Sequence, residues 1–117
     1  MKTIEKKGEY IFVNYAEPYV YKNAIHLLKE AAEVCAAEKC GKLLLSFVDM
    51  PGKVKTLDRF EFGVQGAIIF RHLKKVGVVY RKEEMNRFLE TVAVNRGLNI
   101  RLFDNFEEAL EWLEVEK

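Results

Sequence analysis

Residues 42–49, KLLLSFVD, form a short apolar run that closes on an acid and is followed by Pro51-Gly52. The run is too short for a membrane span and is bounded by turn residues, so it reads as a strand buried on both faces. Such strands occur where helices pack on a parallel sheet. The rest of the chain is then cover for this strand.

There is enough apolar material to provide that cover. Half of the 117 residues are hydrophobic and 12% are aromatic, sufficient for one compact domain over residues 1–117 without disulfide or metal. Nineteen Lys plus Arg against eighteen Asp plus Glu leave a formal charge of +1. No global field of either sign draws such a protein to nucleic acid or to an anionic membrane. Cys35 and Cys40 stand near the end of a predicted helix, where they are expected to point to different faces as two small thiols of a reducing cytosol, with no second pair to complete a zinc site. The opening MKTIEKKGEY has no apolar h-region, and nowhere do eighteen apolar residues run together. The expected location is the cytoplasm, with no transmembrane segment.

Thr3 to Lys6 and Tyr10 to Tyr15 are β-prone runs separated by Lys7-Gly8-Glu9, a hairpin whose polar first strand suits an edge. After Pro18, Val20, Ala24, Leu27, Leu28, Ala31 and Cys35 recur at helical spacing up to Gly41, which suits a left-handed cap. Beyond the central strand, Met50 to Thr56 is a polar loop. A second helix is expected from about Asp58 to Leu73, with Asp58 and Glu61 at capping-box spacing. That helix carries two apolar stripes: Phe60, Val64 and Ala67 are expected to face the sheet, and Phe62, Gly66, Ile69 and Leu73 continue round it. Lys75 to Tyr80 is another apolar strand. Glu83 to Arg96 reads as a third helix, with Met85, Phe88, Leu89 and Val92 on one side and Gly97 as its stop. Asn99 to Phe103 is a final strand, and Asp104 or Asn105 caps a last helix that Phe106, Ala109, Leu110 and Leu113 pack down. The order is ββαβαβαβα, an α/β fold with right-handed crossovers and a mostly parallel sheet.

Asp49 with Gly52, then DRFEFG from Asp58, RFLETVAVNRG from Arg87, and RLF from Arg101 leading to EALEWL from Glu108 together resemble the small bacterial STAS/SEC14-like proteins, also called SpoIIAA-like. The similarity covers nearly the whole chain. It implies a single STAS domain, a superhelix of βα units on a small sheet. It also implies the company of anti-sigma-factor antagonists, stress-signalling subunits, appendages of anion transporters and lipid-binding SEC14 relatives. The antagonists place a phosphorylated serine in an Asp-Ser-Ser-Gly turn opening the helix after the central strand. Here that region reads TLDRF from Thr56, so Thr56 alone could substitute, and it is expected not to be a phosphoacceptor.

Ligands of parallel α/β sheets sit beyond the carboxyl ends of the strands. Of the loops expected there, the one carrying Asp49, Gly52, Lys53, Thr56, Asp58 and Arg59 is the richest. Either Lys53, Arg59 and the helix N-terminus hold an anion, or the two acids close the turn and the lysines are solvated. Glu90, Thr91, Asn95 and Arg96 form a second polar set, read either as a helix terminus with Arg96 on its last carbonyls or as a partner face. The excess apolar stripe of the second helix suggests a homodimer in which Phe62, Ile69 or their neighbours are shielded by another chain. His26 and His72 are isolated, Ser46 lies inside the buried strand, and no triad, Walker A loop, HExxH, EF-hand loop or GxGxxG is present. Neither a catalytic residue nor a metal or cofactor is expected. The sequence therefore points to a regulatory or protein-interaction module. The alternative is a binder of lipid, nucleotide or another small anion, using the carboxyl-end loops.

Overall fold

The computed structural model describes residues 2–84 and 88–115. Strands β1 (Lys2–Lys7) and β2 (Tyr10–Tyr15) form the antiparallel hairpin. β3 (Lys42–Ser46), β4 (Lys75–Val79) and β5 (Ile100–Phe103) then add in parallel, in the spatial order 1-2-3-4-5. Helices α1 (Tyr21–Ala37), α2 (Thr56–Ile69), α3 (Phe88–Val94) and α4 (Phe106–Leu113) follow β2, β3, β4 and β5 respectively. This is the expected order.

Because each parallel strand is laid beside the last in one direction, right-handed crossovers put all three connecting helices on one face. Ile11, Val13, Leu43, Leu45, Val76, Val78, Ile100 and Leu102 point to that face and form the main core with α1, α2 and α3. The opposite face carries Tyr10, Leu44, Val79 and Phe103, and is covered by Ala109 and Leu113 of α4, which is not a crossover at all. Asn105 caps α4, its Oδ1 accepting from the Glu108 N–H at 2.9 Å.

Three expectations about helix ends are corrected. The left-handed residue after α1 is Lys39, with φ +53°, and not Gly41. Cys40 N–H donates to Cys35 O at 2.9 Å and Lys39 N–H to Ala36 O at 3.2 Å, the two bonds of a Schellman motif. Cys35 and Cys40 therefore share one groove instead of facing apart. At Gly41 the constraint is a neighbour and not the backbone angle: a Cβ there would stand 3.2 Å from Lys74 Cγ and that side chain would have to give way.

The second correction concerns α2, which begins at Thr56 after an N-cap at Lys55 that makes no side-chain bond. Asp58 therefore lies inside the first turn and is not a cap. The third concerns the segment after β4, which opens with a 3₁₀ turn, Lys82–Glu84, before α3, instead of one helix from Glu83. Met85 and the side chains of Phe88 and Leu89 lie outside the described residues. Gly97 is the stop expected of it, at φ +91°.

Candidate functional site

Beyond β3 the chain leaves the sheet and its carbonyls lose their ladder partners. Buried main-chain oxygens need donors, and arginine offers five in a rigid fork. Two arginines supply them. Arg81, immediately after Tyr80, donates from Nη1 to Met50 O and from Nη2 to Gly52 O at 2.6 Å. Arg59, in the first turns of α2, donates from Nε to Val54 O and from Nη1 to Glu84 O, each at 3.0 Å. Their guanidinium carbons lie 5.0 and 5.9 Å from the centre of the Tyr80 ring, within cation–π range. Burial pushes the Tyr80 phenol up, against the pull of both cations. The loop of residues 48–55 is thereby strapped to β4 and α2.

Under the strap is an apolar hollow of about 40 Å³ lined by Tyr19, Phe47, Phe62, Val78 and Leu102. Sites for small molecules commonly measure roughly 300–1,000 Å³, so this one has space for little more than water.

The structure divides the first set of candidate residues. Asp49, Gly52, Lys53 and Thr56 are exposed on the loop and helix start, and Asp49 Oδ2 accepts from Asn14 Nδ2 at 3.2 Å, joining the ends of β2 and β3. Arg59 goes the other way. It is only 9% exposed and donates to the main-chain oxygens of Val54 and Glu84, so the expectation of a surface charge presented to an anion is corrected. Arg81 was missed; its signal was its place at the carboxyl end of a buried strand, next to the loop it holds. Leu57 was missed too. At 69% exposure it is the most exposed large apolar side chain among the described residues, and it stands at the corner between the strapped loop and α2.

The second set is structural in its contacts. Glu90 Oε2 accepts from Leu102 N–H at 2.7 Å, giving β5, an edge strand, a partner from α3. Arg96 Nη1 donates to Val92 O at 3.3 Å, and its guanidinium lies 5.4 Å from the centre of the Phe60 ring, pinning α3 to α2. Asn95 is exposed nearby. Phe62 does not join this face. It is 7% exposed, edge-on to Phe47 at 5.6 Å and to Tyr19 at 6.3 Å, and Ile69 packs against the same core. The inward stripe of α2 is Arg59, Phe62, Gly63, Gly66 and Ala67, while Phe60 turns to α3. The stripe offered for a second subunit is thus covered by the chain's own elements, which removes the reason given for the homodimer.

Among the described residues no group of three His, Cys, Asp or Glu is placed to hold a metal, and no helix is long and apolar enough to cross a membrane. Sequence comparison finds no matching family and no matching curated protein. In three dimensions the chain is similar to the crystal structure of an anti-sigma factor antagonist from Mycobacterium paratuberculosis. The match covers 97% of this chain and 93% of that chain at a TM-score of 0.68 and 15% sequence identity. At that identity the likeness is one of fold, and the fold is STAS-like, as the sequence resemblance implied.

Proposed function

We propose that this chain is a non-catalytic regulatory module that binds a protein partner at the corner formed by residues 49–57. The observation that carries the proposal is Leu57, an apolar side chain left in solvent in the first turn of α2, next to a loop that two arginines hold in one shape. Lys53, Lys55 and Thr56, exposed just before it in the chain, add polar groups beside an apolar one, the make-up of a protein interface. A fold shared with an anti-sigma factor antagonist supports a protein as the partner, although fold alone does not assign function. The lipid or nucleotide alternative has less support, because the hollow beneath the loop is small. Thr56 acts as a contact residue and not as a phosphoacceptor, and the cytoplasm is the setting for such a partner.

The test is a photo-crosslinking residue placed at Leu57 and, as control, at Arg101 on the opposite face, in cells of the native host. A discrete protein adduct from position 57 alone, lost when Lys53 and Lys55 are both changed to Glu, is the expected result. Equal adducts from both positions, or none from position 57, would reject the interface.

A further inference from the structure

We propose that Cys35 and Cys40 form a dithiol–disulfide couple at the end of α1, closed and opened by exchange with small disulfides and thiols. The main-chain bond between the two residues limits their separation. With Cys40 N–H 2.9 Å from Cys35 O, standard bond lengths place the Cα atoms roughly 6 Å apart, inside the range of about 4.4–6.8 Å that a disulfide spans. These are also the two positions of a Schellman motif between which a side-chain contact is common, and both residues line the same groove. Lys39, in the left-handed conformation between them, is what returns the chain.

The two sulfurs have different surroundings. Cys35 is 1% exposed, whereas Cys40 is half-buried and its Sγ rests against Glu9 O at 3.3 Å and Lys42 O at 3.4 Å, weak bonds that exchange readily gives up. Both line an open groove of about 390 Å³ that Lys39 and His72 share, wide enough for a peptide-sized thiol and suited to its carboxylates. Cys40 is the entry sulfur. Its thiolate attacks one sulfur of the incoming disulfide and expels the other half as a thiol. Cys35 then loses its proton to solvent and attacks the Cys40 sulfur, breaking the mixed disulfide and expelling the second thiol. Two protein thiols are oxidised and one small disulfide is reduced to two thiols. Burial, and secondarily the nearness of Cys40, push the Cys35 thiol up to about 12. The second step therefore runs through a small thiolate fraction and quickens with pH.

The test incubates the reduced full chain with glutathione disulfide, quenches by alkylation and reads intact mass and peptide maps. The expected course is one glutathione on Cys40 first, then its loss with formation of an internal Cys35–Cys40 bridge, the closing step accelerating about tenfold per pH unit between pH 7 and 9. Cys35→Ser should stop at the mixed disulfide and Cys40→Ser should stay unmodified at neutral pH. Chain-to-chain disulfides as the main product, equal labelling of both cysteines, or bridging only after urea denaturation would overturn the proposal.

Discussion

The loop of residues 48–55 and the carboxyl ends of the helices face the same problem, carbonyls outside any ladder, and answer it differently. At the ends of α1 and α3 the answer is local: Cys40 and Lys39 N–H turn back to Cys35 and Ala36, and Leu98 and Gly97 N–H turn back to Ala93 and Val94. In the loop the answer comes from a distance, through the guanidinium groups of Arg59 and Arg81. A local cap depends on one backbone conformation. A strapped loop depends on side chains that reach it from α2 and from the end of β4. The proposed partner face is of the second kind, so residues that never touch a partner set its shape.

Arg59→Ala should have the largest effect. It leaves Val54 O and Glu84 O without their donors and enlarges the hollow beneath the loop, for a loss of about 3 kcal/mol in urea unfolding. Arg59→Lys should recover less than half, since one ammonium does not reproduce the fork. A loss below about 1 kcal/mol would place the loop among the self-sufficient turns and end the contrast. Arg81→Ala comes next, at about 1–2 kcal/mol, because Arg81 is less buried and water replaces part of what it gives Met50 O and Gly52 O. Its sharper signature is faster amide exchange across residues 48–55, with α1 and α3 unchanged.

The same contrast explains what could be read from the sequence. The strands and their order were legible because parallel strands buried on both faces appear as apolar runs, KLLLSFVD and KVGVVY. Gly97 was legible because a left-handed stop favours glycine. Lys39 was not, since lysine carries no such signal, and the cap was assigned to Gly41 two residues on. The inward face of α2 was misassigned in part: Ala67 faces the core as expected, but Phe60 and Val64 were given the place that Phe62 holds, because Gly63 beside it contributes no side chain to a hydrophobic pattern. That error carried Arg59 outward into solvent. Arg81 could be placed near the loop by topology, but its grip on Met50 and Gly52 exists only in three dimensions.

On the local side of the comparison, Gly97→Ala should destabilise by about 1 kcal/mol. An added Cβ at this position meets no atom within 4 Å, so the effect is that of the backbone alone. A loss above about 2 kcal/mol would show that the α3 cap has partners beyond its own main chain.

Lys39→Gly is the converse and the smallest change, and its sign is the informative quantity. At φ +53° the lysine bears the steric penalty of the left-handed region, about 1–2 kcal/mol for a residue with a Cβ. Glycine removes that penalty but also loosens the unfolded chain, which offsets roughly 0.4–1 kcal/mol. The balance favours the variant by about 0.5 kcal/mol, visible as a higher urea midpoint with an unchanged slope. Because Lys39 is exposed, no burial term enters the comparison. A lower midpoint would mean that the lysine side chain contributes more than its backbone strain removes. The end of α1 would then be held, like the loop, by a side chain as well as by its main chain.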